Sequence, residues 1–324
     1  MALVEIRDLH VDFGAPSRPL PAVDGVDLDI EAGEIVGIVG ESGSGKSMTA
    51  LALMGLVDAP GRVRAAHLAF AGRDLRSLAP RARARLAGGE MAMIFQDPQA
   101  SLDPCYTVGY QLDEAIRLHG IAAERVNRAT RRERAVALLA EVEIADPAAR
   151  LHAYPHQLSG GMAQRVMIAG AIAGRPTLLI ADEPTTALDV TVQAQVLALL
   201  ARLRREHAMA ILLITHDLPV VAQTADRVLV MYAGQVMETG RVPAIFESPR
   251  HPYTRALLDA IPEHNVDRAR LRTIPGVVPG IADRPAGCLL GPRCAFFVER
   301  CATQRPALRD VDPARSVRCH FPLT

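Results

Sequence analysis

The stretch Gly40-Glu41-Ser42-Gly43-Ser44-Gly45-Lys46-Ser47 places three glycines, an ammonium and several hydroxyls within eight positions. That combination suits a phosphorylated ligand. Glycines let the backbone turn tightly, so that successive N–H groups converge on phosphate oxygens. Lys46 can reach the terminal phosphates, and Ser47 can hold Mg²⁺. Lys46 is the only lysine of the chain; every other strongly basic residue is arginine. A planar guanidinium does not replace a compact ammonium in a tight phosphate cradle. A second candidate group is Asp182-Glu183, which closes the apolar run Leu178-Leu179-Ile180-Ala181. Asp182 fits the negative charge that a Mg²⁺–water shell needs, and Glu183 can orient and deprotonate an attacking water. A third group is Cys288, Cys294, Cys301 and Cys319, four of the five cysteines, gathered near the C-terminus.

These groups need elements to position them. Glu34-Ile35-Val36-Gly37-Ile38-Val39 reads as a buried strand and Met48 to Met54 as a helix, so the glycine-rich loop joins strand to helix as a P-loop does. The helix N-terminus adds partial positive charge at the phosphates. Residues 1 to 33 alternate apolar and polar around a Pro-rich loop at 15 to 21, which predicts antiparallel strands. Residues 62 to 72 predict a further strand pair, and about 77 to 87 a basic helix with a solvated face. Met91 to Phe95, Thr177 to Ala181 and Ala210 to Thr215 are short apolar strands. Residues 108 to 145, 158 to 173 and about 191 to 206 are helical by spacing. Buried strands alternating with helices predict a parallel sheet covered on both faces. The pattern ends near residue 262.

Length and charge narrow the function. With 324 residues, 49% of them apolar, the chain can build one large domain plus an appendage. A formal net charge of zero gives no sign of bulk nucleic-acid binding. No uncharged apolar run reaches the roughly 18 residues of a membrane span. The N-terminus alternates like a strand and does not read as a signal peptide. The expected location is therefore the cytoplasm or the cytoplasmic face of a membrane.

Leu158-Ser159-Gly160-Gly161-Met162-Ala163-Gln164-Arg165 resembles the signature sequence of the ATP-binding cassette (ABC) ATPases, and the family's other motifs follow in order. Gln96 matches the Q-loop, Ala187-Leu188-Asp189 the D-loop and His216 the switch histidine. Phe13 matches the aromatic position that stacks on adenine; a core phenylalanine is the competing reading. The resemblance implies a RecA-like P-loop NTPase core of α/β class, with an antiparallel β subdomain and an α-helical signature subdomain at about 98 to 160. It implies that ATP is bound by Phe13, Gly40, Ser42, Gly43, Ser44, Gly45, Lys46, Ser47, Thr49, Gln96 and Asp182. Ser47, Gln96 and Asp182 would hold Mg²⁺. Glu183, His216 and Gln96 would be catalytic. Two such domains would pair head to tail, and Ser159, Gly160, Gly161 and Asp189 of one would face the ATP held by the other.

Finer features resemble one branch, the ATPase subunits of dipeptide and oligopeptide importers. They are Ala22-Val23-Asp24-Gly25-Val26, Gln96-Asp97-Pro98-Gln99 with Leu102-Asp103-Pro104, and His251-Pro252-Tyr253-Thr254-Arg255-Ala256-Leu257-Leu258. The branch implies an ATPase domain over 1–262 and a small Cys-rich C-terminal extension over 263–324. It also implies two permease subunits, an extracytoplasmic peptide-binding protein, a sister ATPase, and a peripheral place on the inner membrane. Nickel, glutathione and other small-solute importers share the branch and stand as the alternative. A soluble repair- or ribosome-type ABC protein is disfavoured, because one cassette without a long heptad run is present.

The extension's spacing, Cys-x5-Cys-x6-Cys-x17-Cys, leaves three readings. Four thiolates can hold a [4Fe–4S] cluster, which the resemblance implies. Zinc usually takes tighter pairs, and free structural thiols are the third reading. Disulfides are disfavoured in the cytosol. Cys105 is expected to be a plain buried thiol.

Overall fold

In the computed structural model, residues 2–119, 127–186, 188–261 and 273–324 are described. Ala187 of the D-loop match and the expected boundary at 262/263 lie outside them. The chain divides into two units, one formed by 1–30, 35–76 and 214–324, the other by 31–34 and 77–213.

The first unit begins with β1 (Val4–Phe13) and β2 (Leu20–Ile30), which pair antiparallel from Val4↔Ile30 to Phe13↔Leu20. The short strands β4 (Arg62–Arg64) and β5 (His67–Phe70) add to β1, and β6 (Arg73–Asp74) adds to β5, all antiparallel. This is the antiparallel sheet that the alternating N-terminal residues predict. The P-loop strand β3 (Ile35–Val39) is buried at all five positions, which suits a run with no polar side chain. Its Gly37 allows a close approach: a Cβ there would lie 2.7 Å from Val221 Cγ1 of α9 (Leu218–Thr224). The helix α1 (Lys46–Met54) leaves the loop and stops at Gly55, whose φ of 76° only glycine adopts without cost.

Parallel to β3 lies β10 (Arg227–Tyr232), followed by antiparallel β11 (Gln235–Arg241). The C-terminal residues extend this sheet: β13 (Arg315–Val317) pairs antiparallel with β11 through Glu238↔Val317, and β12 (Arg309–Asp312) pairs with β13. Glu238 is completely buried and fully partnered. Arg315 donates to Oε1 from Nε and Nη2, and the backbone N–H groups of Arg250 and His251 donate to the two oxygens. A buried carboxylate is tolerated only with such compensation. Leu289 and Leu290 share one apolar cluster with Val39, Val221, Val230, Tyr232 and Tyr253. Each such buried side chain contributes about 1.5–3 kcal/mol, so the C-terminal segment is built into the core around β3 and β10. The short α10 (Ala244–Glu247), α11 (Pro252–Asp259) and α12 (Glu299–Thr303) complete this unit.

In the second unit, β7 (Met91–Ile94) and β8 (Leu178–Asp182) pair parallel, with β9 (Ala210–Thr215) beside β8. All three are buried throughout, as their apolar runs predict. The basic helix α2 (Pro80–Leu86) starts on its proline, and α3 (Pro98–Ser101) is capped by Asp97. The helices α4 (Val108–His119), α5 (Arg128–Glu141) and α7 (Gly160–Ala171) pack on one another, burying Leu112 and Ile116 of α4 and Ala135, Leu138 and Leu139 of α5. The single turn α6 (Pro147–Arg150) precedes α7, and α8 (Val190–His207) follows β8.

Cys105 corrects an expectation. It is exposed, in the turn where Asp103 Oδ1 accepts its backbone N–H at 2.8 Å. A turn that satisfies its own backbone groups keeps its residues at the surface.

Candidate nucleotide site

Within the first unit the P-loop wraps around Lys46. The ammonium is buried and donates to the carbonyls of Gly40 at 2.8 Å and Glu41 at 3.0 Å. Gly40 has a φ of 154°, and a Cβ there would stand 2.1 Å from the Met231 carbonyl oxygen, so no side chain fits. A Cβ on Gly45, whose φ is 96°, would meet the Ala22 carbonyl at 2.9 Å. Ser42 and Gly43 are exposed at the tip of the loop. Ser44 is fully buried, its backbone carbonyl accepts from Gly234 N–H, and its Oγ makes no hydrogen bond. An unpartnered buried hydroxyl inside a glycine-rich loop fits an anion-binding role. Ser47, the second residue of α1, is half-buried, while Thr49 Oγ1 donates back to the Gly45 carbonyl at 3.0 Å. Phe13 ends β1 half-buried, its ring edge close over Gly61. His216 is exposed between β9 and the Asp217 cap of α9.

Within the second unit, Asp182 is buried at the end of β8 and Glu183 follows it. Glu183 has a φ of 47°, left-handed backbone that a non-glycine residue adopts at a cost of about 1 kcal/mol or more. Its Oε2 accepts from Gln96 Nε2 at 3.0 Å and from Thr186 Oγ1 at 2.8 Å. The fold thus joins the Q-loop glutamine to the acid expected to be the base. Two donors on one oxygen fix the direction of the carboxylate, as a general base requires. At the start of α7, Ser159 Oγ accepts from Met162 N–H as the N-cap, with Gly160 exposed on the first turn. A Cβ on Gly161 would lie 2.8 Å from Val192 Cγ1, so the glycine lets α7 approach α8. Asp189 caps α8, accepting from Val192 N–H at 2.9 Å.

The sequence reading did not single out a group that holds the loop from the C-terminal side. Tyr253 Oη accepts the Glu41 N–H at 3.0 Å, and Arg293 grips the Glu41 carboxylate through Nη1 and Nη2, each at 2.9 Å. Burial works against the Arg293 charge, but the bonds to Glu41 and Tyr232 raise its pKa above the ordinary arginine value. The available signal was Tyr253 in the His-Pro-Tyr segment, which reads as a branch marker with no role of its own.

The four C-terminal cysteines line one small cavity together with His251, Pro252 and Phe321, and all are unpaired. Burial pushes the thiols of Cys288, Cys294 and Cys319 up. Among the described residues, no group of three or more His, Cys, Asp or Glu side chains is placed to hold a metal ion. The donor set is that of a cluster; the spacing of the side chains is not.

Comparison with known proteins decides the family. The model of the family described as ABC transporter matches residues 23–186. The chain belongs to the ABC transporter family. It is therefore an ATP-hydrolysing transporter subunit. A second model, described as the oligopeptide/dipeptide transporter C-terminal region, matches residues 237–301. The chain is 58% identical over 323 residues to the dipeptide transport ATP-binding protein DppD of Escherichia coli, covering 100% of this chain and 98% of that protein. It is 52% identical to the DppD of Haemophilus influenzae, covering 100% and 96%. Among solved structures, a dimeric ATP-binding cassette in a post-hydrolysis state with ADP and Pi matches with a TM-score of 0.64 and 27% identity, over 74% of this chain and 98% of that one. Among the described residues no helix is long and apolar enough to cross a membrane.

Proposed function

We propose that this ABC subunit powers the uptake of dipeptides or short oligopeptides. It would sit peripherally on the cytoplasmic side of the inner membrane, beneath two permease subunits. A sister ATPase and an extracytoplasmic peptide-binding protein complete the assembly. The observation that carries this reading is the 58% identity, end to end, with a dipeptide transport ATP-binding protein.

In this reading residues 1–262 form the ATPase, with a helical subdomain at about 98–160, and 263–324 form the extension. Gly40, Ser42, Gly43, Ser44, Gly45, Lys46, Ser47 and Thr49 bind the phosphates of ATP, and Phe13 stacks on its base. Ser47, Gln96 and Asp182 are the residues that would hold Mg²⁺, and the ion would supply positive charge to offset the negative charge developing on the transferred phosphoryl group. Glu183, oriented by Gln96 and Thr186, takes the proton of the attacking water; His216 helps hold that water. Ser159, Gly160, Gly161 and Asp189 serve the nucleotide held by the partner ATPase, offering a helix N-terminus to its γ-phosphate.

Cys288, Cys294, Cys301 and Cys319 would hold a [4Fe–4S] cluster that staples the extension. The four-thiol donor set around one cavity supports this reading, although the side chains as placed would have to draw together to ligate it. Anaerobically purified protein is expected to contain iron and sulfide; stoichiometric zinc, or no metal, would refute it. The transport reading is tested by reconstituting the complex in liposomes with ATP inside. Uptake of a labelled dipeptide presented with the binding protein supports it, and uptake of nickel or glutathione alone overturns it.

A further inference from the structure

Glu41 is a carboxylate inside a loop built to bind phosphate, and none of the phosphate chemistry asks for an acid there. The structure gives it a different task. Its carboxylate is gripped by both Nη atoms of Arg293, at 2.9 Å each, across 252 positions of sequence. Its N–H donates to Tyr253 Oη at 3.0 Å. Its carbonyl oxygen is one of the two that accept from Lys46 Nζ. Every polar group of Glu41 is therefore committed, on one side to the C-terminal segment and on the other to the lysine.

The gripping arginine is itself immobilised. Its side chain is only 5% exposed, against 29% for Glu41. Nε donates to the Pro275 carbonyl at 2.7 Å, and the guanidinium lies 5.6 Å from the centre of the Tyr232 ring. Tyr232 in turn meets Tyr253 edge to face at 4.9 Å. A planar fork fixed in this way transmits position in a way that a flexible surface pair does not.

We propose that Arg293 is a positioning residue of the ATP site, setting Glu41 and through it the loop carbonyls that hold Lys46. This rests on the reading of the P-loop as the ATP-binding loop. The segment just before Cys294 is then part of the nucleotide-binding machinery, and its removal is felt in affinity for ATP.

The test uses the full-length protein and Mg-ATP, with affinity measured by calorimetry and hydrogen exchange followed over residues 40–47. Arg293→Ala is expected to weaken ATP binding by about tenfold. It should also speed exchange at the loop more than at β1 and β2. Glu41→Ala should do the same, and the double variant should be no weaker than the worse single one. Arg293→Lys should fall between, because an ammonium cannot make both bonds. Lys46→Ala serves as the control for the underlying reading. If Lys46→Ala abolishes binding while Arg293→Ala leaves affinity and loop exchange unchanged, the positioning role is overturned and the P-loop reading stands. If Arg293→Ala fails to fold, unchanged affinity in Glu41→Ala overturns the role equally.

Discussion

Gln96 and Glu183 are joined by a 3.0 Å hydrogen bond from Nε2 to Oε2 across 87 positions of sequence. The bond places Gln96 on the carboxylate that follows β8, beside a second donor from Thr186. Replacing Glu183 by glutamine keeps the shape and removes the group proposed as the base. Glu183→Gln is expected to bind ATP with unchanged affinity and to lower turnover by at least about a hundredfold. Hydrolysis at the wild-type rate, measured by phosphate release from the assembled transporter, would show that Glu183 is not the base.

Lys46 gives a prediction in the binding step. Its ammonium is buried, at 2.8 Å from one loop carbonyl and 3.0 Å from the next. Lys46→Ala should weaken ATP binding by at least about thirtyfold, and Lys46→Arg should not restore it, since a guanidinium needs more width. Calorimetry with Mg-ATP decides the matter, and arginine matching lysine would refute the size argument.

The contact between α7 and α8 depends on Gly161. A methyl there would stand 2.8 Å from Val192 Cγ1, and a β-branched side chain on a helix has little freedom to turn aside. Gly161→Ala is expected to cost about 1–3 kcal/mol of stability. Adding Val192→Ala should return most of it. Thermal unfolding of the two variants checks this, and equal destabilisation of single and double would place the strain elsewhere.

His251 makes the fold sensitive to acid. It is buried, its Nδ1 accepts the Tyr253 N–H at 3.0 Å, and its Nε2 faces the Arg318 carbonyl at 3.2 Å. Burial pushes its pKa from 6.5 down to about 4. The unfolded chain binds a proton near pH 6.5 that the folded chain refuses until about pH 4. Stability therefore falls as pH drops through that window, and this group has no effect above it. His251→Asn keeps a capping acceptor for Tyr253 but does not titrate. Its stability, followed by urea unfolding from pH 7 to pH 4.5, should fall less steeply than that of the wild type; parallel curves would remove His251 as the cause.

The sequence by itself determined the phosphate loop, the buried strands around it, the two acids at the end of β8 and just beyond it, and the signature turn at Ser159. Each is a short run whose spacing carries its own physical meaning: glycines for a tight turn, uninterrupted apolar residues for a strand buried on both faces, a hydroxyl before a helix for its cap. The strands β12 and β13 were not legible. All four residues of β12 are exposed, so no alternation betrays a strand that exists only because β13 borders β11. Cys105 was misread for a similar reason, since burial follows from the turn's position on the finished surface. The grip of Arg293 on Glu41 belonged wholly to the tertiary structure. Neither residue has local spacing to mark it, and only folding brings a buried guanidinium against a carboxylate so far away in the chain.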